Sequence, residues 1–416
     1  MSALVAPGTF SKDPALWGLP PDTCIDSARQ PYRSYVPING EDYLDWVSGL
    51  GANLLGYNHT GFYWHVTRQL MKGSGFSLTH SLEHKVADLL ANQVGSRIPG
   101  WQGQPLGVRF CKTGTDATTM AVRLARAVTG NGWVITFDGH YHGWADWSIA
   151  RTSPGWGLPH GNDEATRLDW AGVGVANWQD KGFFLKDRPE NVDFAAVIFE
   201  QPATDPVPGW YIFLRRWCDE HNALLIADEV VTGLRYGVGG ACERYGIEPD
   251  LVCYGKALGN GLPVAALMGR REHMNWFSRV DPVFCSSTGW GETIGLAAAE
   301  YVLTTWNEAS TGHLWAIGNL LIDGLTAAGW DVFGHGARSV LKFASEYERA
   351  WFIQGMYRQK VLMNRPNLPN LGHFAGDVRV TAIAAEAVRQ EYEDAGEERV
   401  KEAMRAHLPR VLFEGR

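Results

Sequence analysis

Three side chains in this sequence stand where a covalent reaction on a small organic molecule would need them. Lys256 follows the apolar run 251–254 (LVCY) and enters the loop Gly255-Lys256-Ala257-Leu258-Gly259-Asn260-Gly261. Burial lowers the pKa of a lysine, and a deprotonated amine can form a Schiff base with a carbonyl. Asp228 and Glu229 close a second apolar run, 223–227 (ALLIA). Ligands of open α/β sheets bind beyond the carboxyl ends of the strands, so a carboxylate there either caps structure or meets a positively charged ligand atom. Each residue also has an ordinary reading: Lys256 as a snorkelling surface lysine, the acids as strand-end polar groups beside a turn.

Two further segments carry chemistry. In Phe110-Cys111-Lys112-Thr113-Gly114-Thr115-Asp116-Ala117 a strand runs through a glycine turn into a helix. The free N–H groups and the dipole at such a start form an anion site, although an ordinary helix cap has the same look. In Phe137-Asp138-Gly139-His140-Tyr141-His142-Gly143 an aromatic follows another strand. Tyr141 there either stacks on a planar ring or packs against its loop. His140 and His142 lack the matching cysteine or carboxylate cluster of a metal site.

The elements needed to position these residues can be read from periodicity. Strand-like runs at 108–111, 133–137, 195–199, 223–227 and 251–254 alternate with helical stretches, among them 116–128 with Thr115 as N-cap, and 210–221. Alternation of this kind predicts a mostly parallel sheet covered by helices on both faces. Asn39-Gly40 between the runs 35–38 and 43–47 predicts a hairpin. Beyond residue 290, helices are expected at 291–306, 313–328 and 378–394, with short strands at 339–343 and 360–363. The expected organisation is an N-terminal arm with part of a small domain (1–55), a large domain (56–300) and a C-terminal small α+β domain (301–416).

Taken in order, Thr-Gly-Thr-Asp-Ala, Tyr-His-Gly, Asp-Glu-Val-Val-Thr-Gly and Gly-Lys-Ala-Leu-Gly resemble the class III pyridoxal-phosphate aminotransferases. The stretch Asp250–Arg271 (DLVCYGKALGNGLPVAALMGRR) is especially similar to glutamate-1-semialdehyde aminomutase and its relatives. The resemblance runs from about residue 35 to residue 385. It implies the aspartate-aminotransferase-like α/β fold and pyridoxal 5'-phosphate as cofactor. It also implies that Lys256 carries the cofactor as a Schiff base and shuttles a proton, and that Asp228 pairs with the pyridinium nitrogen. Val230 and Tyr141 would face the two sides of the ring, and Gly114 and Thr115 would bind the phosphate. Thr288 would reach the phosphate of a neighbouring subunit, which implies a homodimer with active sites at the interface. Glu200 matches the glutamate that the family places before a proline.

The sequence departs from that pattern in places. It reads Glu200-Gln201-Pro202 where the family has Glu-Pro, and Asn260 interrupts a glycine run. Lys112 takes a position often held by a small polar residue, and Trp290-Gly291-Glu292-Thr293 replaces Gly-Asn-Pro. Arg338, Arg358, Arg365 and Arg379 are candidates for binding a substrate carboxylate, and each also reads as a surface residue. The expected reaction moves an amino group between an amino donor and a carbonyl acceptor. The aminomutase variant, racemisation or decarboxylation would use the same lysine, and a non-catalytic relative that kept the fold would be expected to lose Lys256 or Asp228.

Composition narrows the classes. Of 416 residues 45% are hydrophobic and 20% charged, as in a globular protein, which excludes a disordered or fibrous chain. Thirty-seven basic against forty-five acidic residues leave a net charge of −8, with no basic excess to grip nucleic-acid phosphates. A nucleotide-binding protein would show GxxxxGK[ST] or an early GxGxxG, and neither is present. No apolar run approaches the roughly 20 residues of a membrane span, so no membrane partner is expected. The start MSALVAPGTFSKD lacks the pattern of a secretory signal. Six cysteines without a CxxC pair predict reduced thiols and a cytoplasmic setting.

Overall fold

The computed structural model describes residues 12–20, 23–28, 32–149, 172–181, 192–405 and 408. They form two compact units, one from the described parts of 1–60 and 312–412, the other from 61–311. The chain opens in the first unit with β1 (Tyr35–Ile38) and β2 (Glu41–Asp45), an antiparallel hairpin turning at Asn39-Gly40. Both turn residues have positive φ, 50° and 87°, the conformation that matches the twist of paired strands.

The second unit is built on one seven-stranded sheet. Its strands are β3 (Leu106–Cys111), β4 (Trp133–Phe137), β5 (Val173–Ala176), β6 (Phe194–Glu200), β7 (Leu224–Asp228), β8 (Leu251–Tyr254) and β9 (Ala265–Arg270), in the order β3-β9-β8-β7-β6-β4-β5. All run parallel except β9, which pairs antiparallel with both β3 and β8. Every residue of β6, β7 and β8 is buried, which explains their near-continuous apolar sequences. Ala196, Ile198, Ile226, Cys253 and Leu267 lie in one core with Ala117, Met120, Ala121, Leu124 and Ala125 of the helix Gly114–Thr129. Helix Trp210–Glu220 buries Trp210, Leu214 and Trp217.

The first unit continues with β10 (Asp331–His335), β11 (Arg338–Lys342), β12 (Val361–Leu362) and β13 (Pro366–Asn367). β12 adds parallel to β2, so Val361 and Leu362 stand opposite Leu44 and Asp45, while β10, β11 and β13 form a separate antiparallel sheet. Trp46, Leu325, Trp330, Phe352, Met356 and Val388 share its main core. The helix Glu346–Arg358 supplies Phe352 and Met356, and the helix Ala375–Ala395 supplies Val388. No helix among the described residues is long and apolar enough to cross a membrane.

Glu229 fixes the chain just beyond β7. Its N–H donates to Cys253 O at 2.9 Å. Its carboxylate accepts from Ala241 N at 3.0 Å, from Cys242 N at 2.7 Å and from the Thr232 hydroxyl. Burial pushes this carboxyl above its ordinary value of 4.5, against the pull of those donors. A raised folded value means that the protonated form favours the folded chain. That contribution is complete below about 4.5 and is lost as pH rises through the folded value. Urea unfolding of wild type beside Glu229→Gln should show wild type losing stability relative to the variant as pH climbs from about 4.5. A difference that moves the other way, or not at all, would refute the assignment.

Candidate active site

The parallel register sets three ends of chain side by side. Glu200 lies opposite Asp228 across β6 and β7, and Asp228 lies opposite Cys253 across β7 and β8. Glu200, Asp228 and the Tyr254-Gly255-Lys256 exit therefore emerge at one edge of the sheet, the carboxyl edge where ligands bind in such folds. Lys256 is half-buried and opens the short turn Lys256–Gly259 with φ of 41°. A non-glycine residue in that left-handed region carries a local cost of about 1 kcal/mol or more, which its surroundings must offset.

Asp228 is only 6% exposed. One oxygen, Oδ2, lies 2.8 Å from His142 Nδ1, and the other accepts from Val230 N at 3.1 Å. A carboxylate only accepts, so His142 donates from Nδ1. The imidazole stands parallel to Trp147, with ring centres 6.3 Å apart, and its Nε2 is buried without a hydrogen-bond partner. His142 is in turn held by Thr118, whose hydroxyl donates to His142 O at 2.6 Å. Sequence reasoning weighed His142 only as a metal ligand. The signal that could have found it is its place one residue past Tyr141, in a loop that leaves the same sheet edge as Asp228.

The glycine turn differs in one respect from the sequence reading: Thr113, not Thr115, caps the helix. Asp116 N donates to Thr113 Oγ1 at 3.1 Å and Thr113 N donates to Asp116 Oδ2 at 3.0 Å, a reciprocal capping box. Gly114 and Thr115 thus lie inside the first turn, where N–H groups have no intrahelical acceptor. The Thr115 hydroxyl accepts from Trp144 N at 3.4 Å. Gly143 (φ 105°) comes so close that a Cβ there would sit 2.3 Å from Thr115 Oγ1.

Val230 joins the parts. A Cβ at Gly114 would lie 2.9 Å from Val230 Cγ1, and one at Gly255, next to Lys256, 3.4 Å from it. Glu200 accepts from Tyr141 N at 3.1 Å through Oε1, while Glu200 N donates to His140 Nδ1 at 3.1 Å. Gly114, Thr115, Tyr141, Glu200, Asp228, Val230 and Lys256 are linked in this way around one edge of the sheet. Thr288 is placed differently. It is exposed, on the wall of a cleft of about 340 Å³ shared with Phe76, His80, Glu83 and Arg109, and none of the other seven lines that cleft.

The four arginine candidates are sorted in part. Arg358 pairs with Glu391 at 2.7 Å on the surface, and Arg379 is exposed. Arg338 and Arg365 are half-buried. Burial and the neighbouring Arg349 charge push the Arg365 guanidinium below its ordinary value.

The residues at the sheet edge fit pyridoxal phosphate: unclaimed N–H groups for a phosphate, a buried carboxylate for a ring nitrogen, an amine for an aldehyde. Comparison with known proteins points the same way. An omega-transaminase from Sphaerobacter thermophilus shares the fold, with a TM-score of 0.77 at 24% identity over 88% of this chain and 91% of that one. A transaminase with PLP bound does so with a TM-score of 0.78 at 20% identity, over 89% and 91%. The fold is that of the pyridoxal-phosphate-dependent transferases. The family profile "Aminotransferase class-III" matches residues 23–354. Glutamate-1-semialdehyde 2,1-aminomutase from Anaeromyxobacter dehalogenans (strain 2CP-C) is 35% identical over 313 residues, 72% of this chain and 70% of that protein. The chain belongs to the class III aminotransferase family and is a pyridoxal-phosphate-dependent enzyme.

Removing His142 leaves the Asp228 carboxylate buried with a single backbone donor. His142→Phe should cost about 2–4 kcal/mol of stability in chemical unfolding. Adding Asp228→Asn should recover part of that loss, because the stranded charge is gone. A double variant less stable than His142→Phe would mean that the pair is not what the site rests on.

Proposed function

We propose that the chain transfers an amino group from an amino donor to a carbonyl acceptor, with Lys256 as the reacting amine. The observation that carries this reading is the convergence on Val230: the glycine turn on one side, the Lys256 exit on the other, and Asp228 two residues before it. When bound, pyridoxal phosphate supplies an aldehyde that takes up amines and a ring that draws electrons from the adjacent carbon. Lys256 Nζ would hold the cofactor through its aldehyde and would move a proton from the substrate carbon to that aldehyde carbon, the shift that amino transfer requires. Asp228, oriented by His142, holds the proton on the ring nitrogen. Val230 would support one face of the ring and Tyr141, its backbone fixed by Glu200, would cover the other. The N–H groups of Gly114 and Thr115 and the Thr115 hydroxyl bind the phosphate.

A second copy of the chain completes this site in the same proposal. Trp64, Met71, Leu78 and Phe284 are 67%, 84%, 86% and 74% exposed in the single chain, and Leu78 lines the Thr288 cleft. Apolar surface on that scale marks a contact region. Burying it in a homodimer lets Thr288 reach the phosphate held by the second copy. A cytoplasmic setting belongs to the same reading, supported by six free thiols, five of them buried.

A second reading, movement of an amine between neighbouring carbons of one substrate, is supported by the activity named for the Anaeromyxobacter dehalogenans relative. It calls for the same residues. One substrate converted alone would favour it, whereas dependence on a donor and an acceptor together would favour transfer.

The first test is the absorption spectrum of the purified protein supplied with pyridoxal phosphate, beside Lys256→Ala. Wild type should show a visible band that borohydride fixes covalently at Lys256, and the variant should retain no cofactor after reduction. No band in wild type would sink the cofactor assignment. The dimer is tested by sedimentation. Wild type should run as a dimer, Leu78→Glu should shift it toward monomer, and a wild-type monomer at micromolar concentration would refute it.

A further inference from the structure

Two departures from the family pattern meet in the fold. Lys112, in place of a small polar residue, forms an ion pair with Glu292, which stands where the family has asparagine. Both side chains are 20% exposed, so the pair is largely shielded from water. Lys112 Nζ also donates to Pro263 O at 3.2 Å.

The pair ties together three segments of the proposed site. Lys112 N donates to Asp116 Oδ2 at 3.2 Å, so the lysine is anchored to the capping box that shapes the Gly114–Thr115 turn. Pro263 lies near the end of the loop between β8 and β9 that carries Lys256. The Glu292 carboxylate accepts from Ile294 N at 2.7 Å and Gly295 N at 2.8 Å, capping the helix Thr293–Thr305 and closing the loop that carries Thr288. That loop rests on the lysine stem: a Cβ at Gly289 would lie 3.7 Å from Lys112 Cε. Two N–H groups and the helix dipole already answer a capping carboxylate, so the cap alone does not call for an ammonium group. The ammonium instead connects the cap to the glycine turn.

We propose that Lys112 and Glu292 are positioning residues for the cofactor phosphate. Their pair holds the Gly114–Thr115 turn and the Thr288 loop in one fixed relation, so that a phosphate bound by the turn of one subunit meets Thr288 of the other without reordering either segment. The inference rests on the cofactor and dimer readings above.

The test compares how the cofactor-free, full-length protein binds pyridoxal phosphate and pyridoxal, which lacks the phosphate. Binding is followed by the visible band in wild type, Lys112→Met, Glu292→Gln and the double variant. Each single variant should bind pyridoxal phosphate about tenfold more weakly, and the double no more weakly than either, because one interaction is removed in all three. Pyridoxal binding should be unmoved, and Lys112→Arg, which keeps the charge, should stay within about twofold of wild type. A thermal unfolding scan of each cofactor-free protein confirms that it is folded. Unchanged phosphate-ester affinity in the single variants, equal loss for both ligands, or additive losses in the double would overturn the proposal. So would tighter binding by Glu292→Gln, because a lysine released from its partner would then be contacting the phosphate directly. A wild type that takes up neither ligand would remove the cofactor reading itself, a result distinct from any variant effect.

Discussion

A carboxylate buried at the end of a central strand is stable only if its charge is answered, and the site is organised around that requirement. Asp228 has 6% of its surface exposed, at the end of a strand whose every residue is buried. An unpaired ion there would protonate or destabilise the fold. His142 and the Val230 N–H give it one donor per oxygen. The carboxylate is thereby oriented while His142 keeps its second nitrogen unbonded. The same contacts fix both loops: His142 belongs to the segment after β4, and Val230 lies against Gly114 of the glycine turn and Gly255 beside the lysine.

The sheet supplies the remaining geometry through its one reversed strand. β9 runs back between β3 and β8, so the connection from β8 to β9 is a loop folded over the carboxyl edge, not a crossover to the far side of the sheet. Lys256 is the second residue of that loop. β3, on the other flank of β9, delivers the glycine turn at the same edge. A single antiparallel strand thus brings amine and glycine turn within one valine's width of each other. β8, which precedes the lysine, is buried throughout, and β3 is buried at Phe110 and Cys111, where it enters the turn.

Much of this was legible in the sequence because the strands that matter are simple. The runs 133–137 and 251–254 match β4 and β8 residue for residue, and β6 and β7 extend or shift the expected runs by one residue at their ends. Fully buried parallel strands carry an uninterrupted apolar signal that nothing else in the chain imitates. β9 escaped because AALMGR contains glycine and follows a motif that draws attention to its loop. The helices Thr60–Leu70, Ser81–Gln93 and Glu346–Arg358 escaped because their apolar residues are interrupted by charged and polar ones. The N-cap was placed two residues late because Thr113 and Thr115 are chemically equivalent. Only the position of Asp116, able to return the hydrogen bond to Thr113, distinguishes them. Pairings across long sequence separation, such as His142 with Asp228 or Lys112 with Glu292, have no local signature at all.

The departures from the family pattern follow a physical division. Residues that face the cofactor's own chemistry are constrained by a fixed ligand: an amine for an aldehyde, an acid for a ring nitrogen, N–H groups for a phosphate. In the proposed site Lys256, Asp228, Gly114 and Thr115 keep those types. Lys112 and Glu292, in the proposal above, set the spacing between the segments that carry those groups. Spacing can be met by several side-chain pairs, provided both members change together, because a lone ammonium at 20% exposure would be left without its charged partner. A charged pair can therefore replace two small polar residues without altering the chemistry. Variation between relatives at such positions reports how the site is held together, whereas the substrate must be sought among the residues that neither bind the cofactor nor brace the loops around it.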